Sequence, residues 1–429
     1  VSIDKTKAAP EGSVAAPAAA ADAVTAVDPR LLVREQGFAG YISEFRRKMR
    51  AGELGAIPVV IGLIVICAIF QSLDSRFLSA GNLNDVFVNM VATGMMSIGI
   101  IFVLLLGEID LSVGSVSGVS SAIFAVMSVT HGINPWLAVL AALAAGAVIG
   151  AVHGFFFARI GAPAFAVTLA GLLFWLGFML QILGSNGTIN TPYDGIVGNL
   201  TKYYFSDVAA AYGLALLAVV AYFVPVFLSN RRREAAGIPS RPLSDILLRT
   251  GLLAIGAFGT AVIFNQYQGL PLATLLFAIA LVGSDFLLRR TSYGRKVFAL
   301  GGSVEASRRA GINVSAVRIS VFAISGFFAA VGGLFWASKI DAANQGAGTG
   351  DLLMNVIAAA VIGGTSLFGG RGRVWNALLG VLVIQSIQSG LSLNSIETPI
   401  QYMITGGVLL ATVVIDSITR KTQKSAGRA

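Results

Sequence analysis

Between residues 54 and 417 the sequence is a succession of apolar runs, at 54–73, 86–106, 111–130, 135–158, 164–183, 209–228, 248–266, 271–288, 318–337, 353–368, 374–393 and 399–417. A helix of roughly 20 such residues crosses the hydrocarbon of a bilayer. In lipid each backbone N–H and C=O has to be paired internally, which leaves the helix as the spanning element for runs of this kind. The expected fold is all-α, a polytopic membrane protein with about 12 transmembrane helices. Composition agrees: 12% of residues are charged, against roughly 25% in a soluble domain.

Charge orients the runs. Of the 30 Lys and Arg, all but Arg76, Lys202 and Lys339 fall on one side if the N-terminus is inside. Basic residues concentrate in cytoplasmic loops, so both termini are expected in the cytoplasm of a multi-pass cell-membrane protein. A formal charge of +9 does not imply nucleic acid, because the basic residues lie in short loops without interleaved aromatics.

Residues 1–30, rich in Ala, Pro, Asp and Ser, are expected to form a disordered cytoplasmic tail. Within 31–53, Phe38, Tyr41, Ile42, Phe45 and Met49 recur at helical spacing opposite Arg34, Glu44, Arg46, Arg47 and Lys48. That pattern suits an amphipathic helix lying on the inner leaflet, or a short soluble helix. The first apolar run starts too late for a secretory signal, and 419–429 is expected to be a cytoplasmic tail. The single cysteine, Cys67, excludes an intramolecular disulfide and a cysteine-based metal cluster. His131 and His153 are far apart, with no partner suggesting a metal or a proton relay.

Three polar stretches interrupt the apolar pattern. The first, 289–318, is long and basic. In it Gly301-Gly302-Ser303 reads as a turn with Ser303 as N-cap, followed by a helix over 304–310 that Gly311 ends. Glu305 opposes the positive end of the helix dipole, and Arg308 and Arg309 suit the last turn. A solvated loop whose charges only fix topology is the alternative.

The second stretch is Gly107-Glu108-Ile109-Asp110-Leu111-Ser112-Val113-Gly114-Ser115. Ionisable groups between apolar runs are costly and usually face a cavity or the protein interior. Glu108, Asp110, Ser112 and Ser115 are therefore candidates for lining a translocation path at a helix break, the alternative being a turn in which Asp110 caps the next helix. The third is Gly363-Gly364-Thr365-Ser366-Leu367-Phe368-Gly369-Gly370-Arg371-Gly372-Arg373. It is glycine-rich, but no Gly-Lys-Ser/Thr element exists anywhere in the chain, so the polypeptide is not itself a P-loop ATPase and no enzymatic activity is expected. Small-residue spacing at Gly146, Gly150 and Gly154, and at Gly114 and Gly118, predicts close helix packing.

The three stretches, in this order, resemble sugar permease subunits of ATP-binding-cassette importers of the ribose, xylose and galactose type. In the first, Thr291, Tyr293, Gly294, Arg295, Ala299, Leu300, Gly301, Gly302, Glu305, Ala306, Arg308, Gly311 and Ile312 carry the likeness, with Ser303 where the family has Asn. The second departs at Glu108, where the family has Gly. The resemblance implies a coupling helix that docks a cytoplasmic ATP-binding subunit through Gly301, Gly302, Ser303, Glu305, Ala306, Arg308, Arg309 and Gly311. It further implies an extracellular or periplasmic sugar-binding protein, a second permease copy, and alternating access. No cofactor is bound by the chain itself, and ATP is used by the partner.

The family's usual ten spans would be extended here by a helix pair near 209–266, joined by a basic loop at Asn230-Arg231-Arg232-Arg233. Longer permeases of this kind make xylose the preferred substrate. Another small polar solute, such as an autoinducer, nucleoside or branched-chain amino acid, is the runner-up. An ion-coupled transporter would have to use Glu108, Asp110 or Asp285, and a passive channel lacks a charged ring. The segment 351–355 fits the family pattern imperfectly and is assigned no sugar contact.

Overall fold

The computed structural model describes residues 57–425 apart from 239 and 241. The tail 1–30, the amphipathic helix expected over 31–53 and residues 426–429 lie outside the described residues. The elements are α1 (Ile57–Leu73), α2 (Ala80–Leu105), α3 (Val113–Ala125), α4 (Pro135–Phe155), α5 (Ala164–Leu183), β1 (Thr188–Asn190), α6 (Asn199–Lys202), β2 (Tyr204–Phe205), α7 (Val208–Ala235) and α8 (Leu243–Asn265). They continue as β3 (Leu270–Pro271), α9 (Leu272–Arg290), α10 (Ser292–Gly302), α11 (Val304–Arg309), α12 (Val314–Ile340), β4 (Ala342–Asn344), α13 (Leu352–Ile362), α14 (Trp375–Leu393) and α15 (Thr398–Ser425). Short π-helical turns extend α3 to Thr130 and α4 to Ile160.

Among the described residues nine helices are long and apolar enough to cross a membrane. The other three expected runs coincide with α1, with α13 and with α15, which continues to Ser425. Local chemistry starts several helices. Ser79 accepts the Asn82 amide, Asn134 accepts that of Trp136 ahead of a helix opening on Pro135, Asp207 accepts that of Ala209, and Asn313 that of Ala316. Each satisfies an N-terminal amide that the helix cannot.

The core is built around α2, of whose most apolar stretch 83% is buried, against 11% in α7 and α8. The α7–α8 hairpin is thus peripheral. It meets α2 at one end, where Phe264 packs edge-on against Phe87, and it presents large apolar side chains such as Leu217 and Leu252 outward. Asn230 and Arg231–Arg233 do not form a loop but belong to the last turns of α7, because the helix runs on to Ala235 before the chain turns at 236–237.

Two ends of the bundle are defined by contacts between distant loops. At one end β1 pairs antiparallel with β4 and β2 with β3, and the Ser338 hydroxyl donates to the Gly198 carbonyl. At the other, the Gly370 amide donates to the Leu105 carbonyl at 2.9 Å and Ser315 donates to the Ala158 carbonyl. Alternation between these ends follows the order of the sequence-derived runs.

The spacing Gly146, Gly150, Gly154 does what small residues permit. A Cβ on Gly146 would lie 2.5 Å from the Gly326 carbonyl and one on Gly154 2.7 Å from Ile319 Cα, while one on Gly150 would collide with the Phe322 carbonyl. α4 and α12 therefore meet backbone to backbone. Gly114 and Gly118 serve a different contact. They receive non-helical backbone, the Gly348 and Ala347 carbonyls, from the coil after β4. That coil turns back into the bundle beside α3. α13 begins at Leu352, one residue ahead of the expected run, and has 11 residues rather than 16 because 363–368 belong to the glycine loop.

Candidate functional site

The basic loop folds into two helices. Thr291 caps α10 by accepting the Gly294 amide at 3.3 Å, and its own hydroxyl donates to the Leu287 carbonyl at 2.6 Å. Val297 and Leu300 are buried, and Tyr293 hydrogen-bonds Ser320 of α12 at 3.0 Å. Burial pushes the Tyr293 phenol up, with the Ser320 hydrogen bond acting the other way. Gly301 and Gly302 are thus not a free turn; they end α10, because its apolar face continues to Leu300. Ser303 alone, with φ −162°, separates α10 from α11.

α11 is capped at both ends by its own residues. Ser303 Oγ accepts the Ala306 amide at 3.2 Å. At the other end the Gly311 amide donates to the Arg308 carbonyl and the Ile312 amide to the Ser307 carbonyl, each at 3.0 Å. With Gly311 at φ +77° this is a Schellman ending, which satisfies carbonyls a short helix would otherwise leave open. Ser307 faces inward, while Gly302, Ser303, Glu305, Ala306, Arg308 and Arg309 are exposed. Glu305 reaches Arg309 at 3.2 Å and Arg308 at 4.0 Å. Such exposed pairs contribute under about 1 kcal/mol, so the guanidinium groups exchange partners at little cost.

The structure brings the three polar stretches together at one end. A Cβ on Gly301 would sit 2.8 Å from the Gly370 amide nitrogen and overlap the Leu105 carbonyl; one on Gly369 would sit 3.0 Å from the Gly301 carbonyl; one on Gly107 would sit 3.2 Å from the Phe368 carbonyl. The end of α10, the break after α2 and the glycine loop after α13 form one backbone junction. Phe368 is 66% exposed beside it. The loop is braced from within, the Ser366 amide donating to the Arg371 carbonyl and Asn376 Nδ2 to Thr365 Oγ1 at 3.1 Å.

Residues 106–112 are a helix break, reversed at Gly107 with φ +78°. Glu108 is half-buried. Burial pushes its carboxyl up, and the Arg318 guanidinium pulls it part of the way back. Asp110, Ser112 and Ser115 are sealed inside protein rather than open to a cavity, at 2%, 1% and 3% exposure. Asp110 Oδ1 accepts the Ser112 amide at 3.0 Å and its hydroxyl at 2.6 Å, and Oδ2 accepts Ser325 Oγ at 2.9 Å. Asp110 does not cap α3 directly, since the N-cap is Ser112. The Ser115 hydroxyl donates back to the Ser112 carbonyl.

His153 has two hydrogen-bond partners that the sequence did not reveal. Its Nδ1 lies 3.1 Å from Ser112 Oγ, and Trp175 Nε1 donates to its Nε2 at 2.9 Å. Because the Ser112 hydroxyl is spent on Asp110, Nδ1 carries the proton and Nε2 accepts, so the ring is neutral in one tautomer. The signal that could have found it is a histidine inside an apolar run, which by itself marks a polar interaction in the bundle. Asp285 pairs with Arg289 at 3.1 Å on the outside of α9. Among the described residues no group of side chains has the makings of a metal site.

The chain matches the family described as branched-chain amino acid transport system / permease component over residues 82–413. It is 33% identical to the xylose transport system permease protein XylH of Escherichia coli K12 over 374 residues, 87% of this chain and 94% of that protein. The corresponding Haemophilus influenzae protein is 34% identical over 375 residues, 87% of this chain and 99% of that one. The ribose import permease protein RbsC of E. coli K12 is 30% identical over 359 residues, covering 83% and 92%. No solved structure matches.

Proposed function

The chain belongs to the branched-chain amino acid transport system / permease component family, and we propose that it is the membrane permease subunit of an ATP-driven sugar importer, most suited to xylose. Likeness to two xylose permeases along almost their whole length supports the substrate. The observation that carries the mechanism is α11, capped at both ends, exposed on its outer face, and rooted in the junction of Gly301 with Leu105 and Gly370.

A cytoplasmic ATPase subunit docks on Glu305, Ala306, Arg308 and Arg309, with Gly302, Ser303 and Gly311 allowing close approach and Gly301 transmitting the contact inward. Two permeases and two ATPases work together with an external sugar-binding protein, and both termini lie in the cytoplasm. Twelve segments cross, α13 doing so together with the coil before it, and α7 and α8 are an added peripheral pair. ATP-driven closure moves α11. Because Gly301 leaves no side chain between the backbones, the displacement passes to the end of α2 and the break at 106–112. Glu108, Asp110, Ser112 and Ser115 border the inner part of the path, the last three being closed off in this conformation. The chain performs no catalysis and binds no cofactor; ATP belongs to the partner.

The test is uptake of labelled xylose, ribose and galactose by cells expressing the chain with its transport partners. Ion gradients are collapsed while ATP is maintained, and ATP is depleted while gradients are held. Loss with ATP alone is the expected result. Loss with the gradients alone would make this an ion-coupled transporter and refute the docking role of α11.

A further inference from the structure

The coil 345–351 enters the bundle from the end where β4 pairs with β1. Its Gly348 carbonyl packs on Gly114, and Ser117, close to Gly348, lies against Gly333 of α12. Gly333 is seven residues short of Ile340, so the coil penetrates on the order of 10 Å at 1.5 Å per residue. Val356 accepts a hydrogen bond from Ser97 at 2.9 Å. Its neighbours on α2, Met96 and Gly99, pack against Gly332 and Ser325, which puts the first turn of α13 level with the middle of α12. Irregular backbone at that depth persists only where it is enclosed by protein or lines a water-filled cavity.

The side chains there are polar and incompletely satisfied. Asn355 is 4% exposed; its Nδ2 donates to Asp351 Oδ2 at 2.9 Å, while its Oδ1 has no hydrogen-bond partner among the described residues. Asp351, the N-cap of α13, makes no side-chain cap bond, so the first amides of that helix keep their donor capacity. Lys339 is exposed and interacts electrostatically with Asp351 and with Asp85 of α2 without closing an ion pair with either. Gly350 and Met354, on either side of Asp351, are exposed as well.

We propose that the coil 345–351 and the first turn of α13 form a binding step on the translocation path, with Asp351, Asn355 and Lys339 contacting a neutral polyhydroxylated solute. The proposal rests on the importer reading and adds the residues that meet its sugar. Vicinal hydroxyls both donate and accept. The carboxylate of Asp351 and Oδ1 of Asn355 accept hydrogen bonds from hydroxyls, and the Lys339 ammonium and the amides opening α13 donate to hydroxyl oxygens. Asp351 and Asp85 outnumber Lys339 and repel an anion, and an uncharged solute enters without the desolvation cost of a full charge. Few contacts make the step weak, as passage requires.

Cys67 is the only cysteine, so a Cys67→Ala background allows single thiols to be placed in the complete transporter reconstituted in liposomes. Asn355→Cys and Thr349→Cys are compared with Val356→Cys, whose position is fully buried, using a charged, membrane-impermeant methanethiosulfonate. Modification of the first two at least about 10-fold faster than of the third, slowed by saturating xylose, is expected. Equal, slow modification at all three positions would show a dry segment and overturn the proposal whatever the solute. Fast modification that xylose, ribose and galactose all fail to slow would overturn the sugar contact.

Asn355→Leu should lower uptake about 10-fold at equal amounts of assembled transporter, and Asn355→Gln should recover part of it. Unaltered uptake in Asn355→Leu also overturns the contact. Wild-type protein that hydrolyses ATP with its partners yet moves none of the three sugars would instead sink the importer reading, and the thiol result would still report whether the path runs here.

Discussion

Replacing Asp110 separates a structural carboxylate from a transporting one. Three donors converge on it: the Ser112 amide, the Ser112 hydroxyl and the Ser325 hydroxyl. In Asp110→Ala all three lose their acceptor. The hydroxyls can rotate toward nearby helix carbonyls, but the Ser112 amide is fixed, and a buried donor left open costs about 1–3 kcal/mol. Removing a carboxylate held out of water returns some of that, so the net loss should be about 1–2 kcal/mol. In Asp110→Asn, Oδ1 still accepts both Ser112 groups and the Ser325 hydroxyl turns to accept from Nδ2, so stability should fall by less than about 1 kcal/mol. Thermal and denaturant unfolding of the detergent-purified variants measures the first quantity, and ATP-dependent uptake of labelled xylose the second. Asp110→Asn should stay near wild type in both. Uptake abolished in a fully stable Asp110→Asn would refute the reasoning, because the charge itself would then be needed, as in ion coupling.

Ala306→Trp, on the exposed face of α11, should weaken co-purification of the ATPase subunit at least about 10-fold while leaving the permease as stable as before; unchanged association would show that docking lies elsewhere. Gly150→Leu drives a side chain into the Phe322 carbonyl and should destabilise the bundle by more than the roughly 1–3 kcal/mol of ordinary overpacking, read as loss of monodisperse protein in detergent, whereas Gly251→Leu, which meets open space, should not. Glu108 is held above the usual 4.5 by burial. Its neutral form is therefore favoured on folding, so its contribution is fully present below the ordinary carboxyl range and lost as pH rises through the raised value. Glu108→Gln should remove that slope, seen by comparing the stability of the two proteins across the range just above pH 4.5; parallel curves would contradict it.

Length and apolarity are properties of contiguous residues, so the order of the spanning runs was legible in the sequence, and so was α11. Its caps, Ser303 and Gly311, act within four residues of where they stand, and no distant partner is required to form them. The peripheral place of α7 and α8 was not legible, because lipid and protein interior accept the same apolar side chains. Nor was the fate of the glycines. Gly146 and Gly150 admit a helix, Gly114 and Gly118 admit a coil, and Gly107, Gly301 and Gly369 meet one another, although in sequence all are merely small.

Hydropathy alone joined α13 to the glycine loop after it as a single run, since an alanine-rich helix and an apolar loop read alike. Only the structure shows where α13 ends, at Ile362, with Gly364 at φ +99° turning the chain away. Asp110 finds Ser325 215 positions away, and His153 finds Ser112 and Trp175 across helix boundaries. Those pairings depend on how helices cross, which follows from backbone-to-backbone fit over the whole bundle. What the sequence determined by itself is therefore what short-range forces decide: where the apolar helices lie and how they are capped. Which polar groups face one another was decided by tertiary packing, because a hydrogen bond in lipid forms only with the partner that the packed helices deliver.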